Sequence, residues 1–585
     1  MNPIKLRNGC AYVALLIVSV LPLALHLLAR GYSCGHDLPF HLGSWTDAAQ
    51  QLRRGTYPQW DYSAAYAAGE PRFIFYPPLS WLLGAVITFI VPGPAASEAF
   101  IVLCSLVCGL AMFASARRFA PAHAAIVSAA FYALNPYMLF NALERAAYGE
   151  LLASAWLPLL ISAALEEQPT IPRIAIPFAL LWLSNVPTAI IGGYGLLAVA
   201  VFRIALLWRL RRPESLTQPR LRRYIFPFTI GALLGMMLAS FFLVPAIHQQ
   251  HLVRLDAAFA GGKSYRDNFV LHHTGQTSRQ VMHKVTLIAA ELGTAVIVLY
   301  AVCLVGSWVP DKGDARRRRE RMLPLVLLLL AAVVVFLLFP VSAIVWNYLP
   351  ELKVLQFPWR LLSLLSVVAA FLLAIALRNP LMNKWFCLAI ALLGAWALSW
   401  SGVRSYWQDP HALDDNGLTR EQVAQAVESR PTSEYTPVGE SNESLVHPTP
   451  GYWLRGPERN GPSTTLSPAP TAGAASSLGA VAPNHLDLEL SQPGSIVLNR
   501  RNYPLWNIWL DGHPTMIDPQ PSGRIELSLP AGKSTLDLRW HYDPTVMPAA
   551  LTSLLAATAI WAFSASDRRK KTSTGNAGVD RSGPV

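Results

Sequence analysis

Charge is what this sequence has least of. Of its 585 residues only 14% are Asp, Glu, Lys or Arg, against about 25% in a soluble domain. Hydrophobic residues fill the gap at 53%, so the chain cannot clothe its surface as an ordinary soluble globule does. Cysteine is scarce too: Cys10, Cys34, Cys104, Cys108, Cys303 and Cys387 are all there are. All but Cys34 lie in or beside apolar segments, which excludes a disulfide framework, and none stands at metal-site spacing beside histidine. Cys104 and Cys108 share one helical face and read as small apolar residues of a membrane helix. No glycine-rich phosphate loop interrupts the short basic loops, which argues against nucleotide-sugar chemistry and ATP-driven pumping. The net charge of +12 is spread between apolar runs as topology signals, so no nucleic-acid partner is expected.

What is abundant is long apolar runs, from Ala11 to Trp400, many able to cross a hydrocarbon core of ~30 Å. The first follows Lys5 and Arg7, is too long for a signal-peptide core, and is expected to stay as an uncleaved helix. Basic clusters at Lys5/Arg7, Arg117/Arg118, Arg173, 209–223, 316–321, Arg378/Lys384 and 568–571 belong on one side, so an even number of crossings separates neighbouring clusters. Between the first two clusters lie three apolar segments, 11–29, 76–92 and 98–116, and one cannot span. The segment 76–92, framed by Tyr76-Pro77-Pro78 and Pro92-Gly93-Pro94, is the weakest and is expected to lie flat or re-enter at the outer face. Residues 30–97 then form one outer loop. Further helices are expected near 98–116, 121–140, 151–166, 174–187, 189–208, 225–247, 284–309, 323–340, 361–378, 385–402 and 546–564, about twelve spans in all. Other outer loops fall at 141–150, 248–283, 341–360 and 403–545. The expected setting is a multi-pass membrane position with both termini cytoplasmic and 565–585 a disordered tail.

From Val403 the chain turns polar. A Thr419-x-x-Gln422 capping box opens a helix reaching Glu428, and Pro/Ser/Ala/Gly-rich 461–483 reads as a linker. From about 484 on, 485–490, 495–500, 503–510, 524–529 and 534–541 alternate with period two between Gly, Pro and Asp, which predicts a small antiparallel β-sandwich. Trp506, Trp509 and Trp540 would be its core or a platform for sugar faces. The fold class is thus an all-α polytopic membrane protein: 1–402 transmembrane, 403–545 extracytoplasmic and β-rich, 546–564 a final span.

Just past the first helix, Ser33-Cys34-Gly35-His36-Asp37-Leu38-Pro39-Phe40-His41 sets a carboxylate at the membrane–water boundary. Asp37 would act as a general base, cap the next helix, or pair with His36 or His41; His36 would tune it. Glu144-Arg145 reads as functional or as a plain interfacial ion pair. Arg360, after Pro358-Trp359, reads as a site cation or a headgroup anchor beside an aromatic-belt Trp359. His248, His251, His272, His273 and His283 match no standard zinc spacing.

The order of these pieces resembles a family. Asp37 follows the first helix, then come Gly55-Thr-Tyr-Pro58-Gln-Trp60, Gly69-Glu70-Pro71-Arg72 and Phe73-Ile-Phe75-Tyr76-Pro77-Pro78-Leu79. Further on stand Glu144-Arg145-Ala-Ala-Tyr-Gly-Glu150, Leu183-Ser-Asn-Val-Pro187, Leu355-Gln-Phe-Pro-Trp-Arg360 and Glu434-Tyr-Thr-Pro437. Together they resemble GT-C superfamily glycosyltransferases, and more narrowly the bacterial YfhO-type and 6-pyruvoyl-tetrahydropterin-synthase-related membrane proteins. At Asn185 the family pattern carries histidine. The resemblance implies a GT-C-like fold and inverting transfer of a sugar from a polyprenyl-phosphate donor to an envelope glycan, lipid or protein acceptor on the outer face. In that frame Asp37 takes the acceptor proton, with Glu144 as the second catalytic carboxylate. Arg72, Arg145 and Arg360 stabilise the departing lipid phosphate, and His36, Glu70 and Glu150 complete the substrate set. Glu144 and Glu150 would orient an arginine, or hold a divalent cation if one is used; no other cofactor is implied. A transporter or flippase of a lipid-linked glycan, or a non-catalytic envelope-assembly component, remain alternatives. Transporters place ionisable residues near the midplane and repeat internally, whereas here they crowd the span ends.

Overall fold

The computed structural model describes residues 3–210, 218–275, 277–306, 315–378, 383–414, 416–428, 430–445, 450–455, 481–517 and 523–576. Among them, nine helices are long and apolar enough to cross a membrane: Cys10–Arg30, Ala95–Ala116, Ala122–Glu144, Tyr148–Leu165, Val186–Leu206, Arg279–Val305, Pro358–Ala376, Lys384–Tyr406 and Val546–Ser566. Two bent pairs, Tyr224–Leu238 with Ser240–Leu252 (68°) and Met322–Leu337 with Pro340–Tyr348 (94°), bring the number to eleven if each is one span. The twelfth expected segment is the helix Ile171–Ser184, whose 14 residues reach only about 21 Å at the α-helical rise.

At the centre stand Ala122–Leu134 and Leu362–Ala376, apolar and buried almost all round, as a helix must be when neighbours cover every face. Their few polar groups are satisfied internally: Ser128 Oγ donates to Ala370 O (2.7 Å) and Ser366 Oγ to Asn135 Oδ1 (3.2 Å). The segment expected to lie flat is the helix Pro78–Ile90, 13 residues long. It packs on Leu38–Arg53 so closely that a Cβ at Gly84 would lie 2.1 Å from the Trp45 ring, and it leaves Val86, Phe89 and Ile90 exposed.

The C-terminal region forms two antiparallel sheets. One has three strands in the order Tyr452–Arg455, Gly494–Arg501, Arg524–Leu529. The other has four, His485–Leu490, Gly532–Trp540, Trp506–Leu510, His513–Thr515. Between them lie Leu486, Leu488, Ile496, Leu498, Ile525, Leu527, Leu536 and Leu538, the inward members of the alternating runs. The short strands 452–455 and 513–515 were not signalled by alternation. Trp506 is buried, and Trp540 stacks on Tyr503 with centroids 6.0 Å apart; these two rings are spent on packing. Trp509 is half-buried, under Arg539 at 5.3 Å.

The sandwich core continues into the first long loop, taking in Trp60 and Ile74, and into Val253. Trp540 Nε1 donates to Gln59 Oε1 (2.9 Å), the Arg501 backbone N–H to Ala68 O (3.0 Å) and Tyr503 OH to Gln249 Oε1 (2.9 Å). Trp60 is 2% exposed, and Trp60→Ala is expected to cost about 3–5 kcal/mol, visible as a lower melting temperature and faster proteolysis within 57–70.

The capping box is present: Gln422 N donates to Thr419 Oγ1 (3.2 Å) and Thr419 N to Gln422 Oε1 (2.9 Å), opening Arg420–Glu428. The last helix runs from Val546 to Asn576, past the expected end at 564. Most of the expected linker, and residues 577–585 of the expected tail, lie outside the described residues.

Candidate functional site

The loop that carries Asp37 is fastened to a break in the third long helix. After Leu139 the chain makes one π-turn, Phe140–Glu144, and Ala146 follows at φ 52°. Such a turn interrupts the regular ladder, and here three successive carbonyls face the loop. Ser33 Oγ donates to Leu143 O (2.6 Å), His36 N to Glu144 O (2.9 Å) and Asp37 N to Arg145 O (2.9 Å). Gly35 permits this approach, since a Cβ there would meet the Leu143 and Glu144 carbonyl oxygens at 2.8 Å. From the other side Gln408 N donates to Ser33 Oγ (2.8 Å) and Gln408 O accepts from Cys34 N (2.9 Å).

Asp37 occupies the N-cap position of Leu38–Arg53, yet its side chain makes no capping hydrogen bond. Among the described residues the carboxylate has no hydrogen bond or ion pair, with His36 and His41 included. It is solvent-accessible but walled by protein, and that crowding raises its pKa above the ordinary carboxylate range, against the opposing pull of Arg145, His36 and Arg360. His36 is exposed beside it. His41 is buried among Trp45, Tyr76 and Tyr148; burial and Arg72 push it down to about 3, so it is neutral.

Glu150 gathers the cations. Its Oε2 lies 2.9 Å from Arg145 Nη1 and 3.6 Å from Arg360 Nε, and its Oε1 accepts from Tyr137 OH (2.5 Å) and Asn141 Nδ2 (3.2 Å). Arg145 Nη1 also donates to Asn141 Oδ1 (2.6 Å) and Arg360 Nη1 to Leu355 O (3.1 Å). Two guanidiniums thus share one carboxylate, and Asp37 stands in their field. Arg145 and Arg360 exceed Glu150 by one positive charge, which an ionised Asp37 or an anion with several oxygens can meet.

The remaining expected residues lie elsewhere. Glu144 is turned to Lys284, which donates to both its oxygens (3.0 and 2.8 Å), so this carboxylate is already bound. Glu70 and Arg72 form a separate buried network. Arg72 pairs with Asp61 Oδ2 and Glu70 Oε1 (2.8 Å each) and donates to Ser44 Oγ (2.8 Å) and Thr432 Oγ1 (3.2 Å). Glu70 Oε2 accepts from Thr432 N (3.0 Å), and Asp61 and Glu70 pair their backbones. Asp47 beside them is pushed up to about 8 by burial and Asp61. This network ties the first loop to Thr432. Arg72→Met would leave two buried carboxylates without a counter-ion, at about 3–5 kcal/mol, and Arg72→Lys is expected to restore only part of it, lacking the planar fork. Thermal unfolding of the two variants checks this.

Among the described residues no three His, Cys, Asp or Glu are grouped to hold a metal ion. His248 instead pairs with Asp543 (2.9 Å), and His273 bonds backbone carbonyls. Asn185 accepts from Thr188 N and Oγ1 (3.0 and 2.8 Å), capping the helix from Val186. Sequence reading missed Tyr137, Asn141, Ser33, Gln408 and Lys284. Tyr137, Asn141 and Arg145 stand at four-residue steps, a visible sign that they share a face; the other three carry no local signal.

The profile of the 6-pyruvoyl-tetrahydropterin synthase related domain, described as a membrane protein, matches residues 73–407. No functionally curated protein matches the sequence. The chain is similar to solved structures of arabinofuranosyltransferase AftD from mycobacteria (15% identity over 67% of this chain and 27% of that one, TM-score 0.34). It is also similar to the apo oligosaccharyltransferase of Archaeoglobus fulgidus (13%, 68% and 56%, 0.38). A third is ArnT from Cupriavidus metallidurans bound to undecaprenyl phosphate (15%, 72% and 69%, 0.36). The chain spans between a quarter and a third of the two AftD structures it matches, 27% and 33%. At these scores the likeness is loose.

Proposed function

This chain belongs to the family of membrane proteins with the 6-pyruvoyl-tetrahydropterin-synthase-related domain, and we propose that it is a glycosyltransferase. The proposed reaction moves a sugar from a polyprenyl-phosphate donor to an envelope acceptor on the outer face of a bacterial cytoplasmic membrane. The observation that carries the reading is Asp37. A carboxylate held by main-chain bonds at a helix start, free of any role in the fold, and set before two arginines on one glutamate is arranged for proton transfer beside an anion.

In this reading the lipid phosphate docks against Arg145 and Arg360. The acceptor hydroxyl attacks the anomeric carbon from the face opposite the phosphate. The new carbon–oxygen bond forms as the bond to phosphate breaks, its electron pair leaving on the phosphate, and the hydroxyl proton passes to Asp37. The products are an inverted glycoside and free polyprenyl phosphate. Glu150 acts as a positioning residue for both guanidiniums, and Glu70 and Arg72 act through the loop they hold.

The raised Asp37 gives a pH signature. The base works when deprotonated, so kcat/KM is expected to rise with pH through a pKa above the unperturbed value of about 3.9 and to fall below it. A profile flat from pH 4 to 8 would remove Asp37 as the titrating base.

The primary test is purified full-length protein in nanodiscs, given undecaprenyl phosphate carrying one radiolabelled sugar at a time and an envelope fraction. Label entering the acceptor with release of undecaprenyl phosphate supports the enzyme. No transfer from any donor, with an altered distribution of lipid-linked glycan across vesicle leaflets, replaces it with a flippase.

A further inference from the structure

A second element at the site end of the bundle has no part in holding Asp37. Beyond Leu337 the chain turns by 94° into Pro340–Tyr348. The turned piece is two-faced. Ser342 and Trp346 are fully buried, whereas Val341, Ile344 and Tyr348 are 70%, 61% and 80% exposed, at spacings that share one helical face. Trp346 fixes the orientation: it stacks on Tyr265 (5.0 Å), meets Phe269 edge-on (6.1 Å) and donates Nε1 to Leu337 O (3.2 Å).

Next to it, the strands Asn268–Phe269 and His272–His273 make a short hairpin, attached to the bend by Val270 N donating to Leu338 O (3.0 Å). Its tip is Leu271, 77% exposed at φ 66°. A leucine in the left-handed region is held there at a cost, and this one projects its side chain away from the fold. On the preceding span Val333 and Phe336 are also exposed. The rim of the turned piece is polar and carries both signs of charge, the cations Arg266 and Lys353 and the exposed Glu351, which accepts from Tyr194 OH (2.9 Å). Arg266 Nη2 and Tyr265 OH both donate to Asn347 Oδ1 (2.8 and 2.7 Å), and Lys353 is exposed five residues past Tyr348.

We propose that Pro340–Tyr348 and the Leu271 tip form an interfacial anchor. Val341, Ile344, Tyr348 and Leu271 sit at the acyl boundary of the leaflet, and Arg266 and Lys353 meet the phosphates of anionic lipids. The apolar face follows in the chain on a span whose Val333 and Phe336 are also exposed, and the 94° turn takes the chain from the spanning direction into the plane of the headgroups. Residues 349–360 run from this anchor to Arg360, so the anchor fixes the depth of that guanidinium relative to the lipid phosphates. The anchor itself does not rest on the glycosyltransferase reading.

The test uses the full-length protein with an encoded coumarin amino acid in place of Ile344 or, separately, Leu271, in nanodiscs of phosphatidylglycerol and phosphatidylcholine. Nitroxide lipids carrying the quencher at the headgroup, near the glycerol or at mid-chain report depth. Coumarin at Lys533, on the sandwich, serves as the water-facing reference. Both anchor positions are expected to be quenched at least about threefold more than position 533 by headgroup and near-glycerol nitroxides, and less by the mid-chain one. Quenching at both positions no greater than at 533 overturns the proposal, as does strongest quenching by the mid-chain nitroxide. Because the two positions lie on separate elements, misfolding of one variant leaves the other as the test. Either result stands apart from whether sugar is transferred.

Discussion

Asp37→Asn is expected to lower sugar transfer by about 10²–10⁴-fold while leaving protein level and melting temperature as in the wild type. Among the described residues nothing bonds the carboxylate: the bond that places the residue is Asp37 N to Arg145 O, which asparagine retains. Asparagine also fits the same space but accepts no proton. The split between constants is informative. Removing a negative charge in the field of Arg145 and Arg360 leaves both more open to an anionic donor, so KM for the polyprenyl phosphate sugar is expected to hold or fall while kcat collapses. Initial rates across donor concentration read this directly. Equal kcat in both proteins would keep the arginine pocket and discard Asp37 as the base.

Glu150→Gln is expected to behave in the opposite way, lowering both stability and activity. Glu150 is 2% exposed and faces two guanidiniums. Deleting its charge leaves two buried cations repelling each other, a loss of about 3–5 kcal/mol. Glutamine still accepts from Tyr137 OH, but it cannot neutralise Arg145 and Arg360, so both would drift from the position at which they meet a phosphate. The measurable pattern is a lower melting temperature, a raised donor KM and a reduced kcat, with partial recovery of melting temperature when the donor lipid is added. An unchanged melting temperature would mean that the guanidiniums are balanced by solvent rather than by Glu150.

The contrast between these carboxylates shows where sequence reading reached and where it stopped. Asp37, Arg145, Glu150 and Arg360 were visible because each stands at the end of an apolar run, where a charge is exceptional. The resemblance put them in one site, but the way they meet was not visible, because it depends on a π-turn at 140–144 that no local pattern announces. Glu144 and Arg145, adjacent in the chain, point to different partners, and the Glu144 partner Lys284 lies 140 residues away. Glu70 and Arg72 looked like site residues for the same reason as the others, yet Asp61 and Thr432 close around them. The longer strands of the sandwich were legible from their alternation, but the short ones, 452–455 and 513–515, were not. Nor was the seat of the sandwich on Trp60, since an indole in a Gly/Pro turn gives no hint of which distant core receives it.

That seat has a consequence for how the protein is made. Trp60 belongs to a segment synthesised early, but the rings that close on it, Tyr503, Trp506 and Trp540, come late in the chain. More than four hundred residues must be translated, and most of the helices inserted, before that surface finds its cover. Contacts so far apart in sequence close slowly, and an apolar surface left waiting is open to wrong partners in the meantime. Ribosome-stalled chains ending before 480 should therefore be cut by protease within 57–75 and associate with holdase chaperones. Chains released beyond 545 should be resistant there.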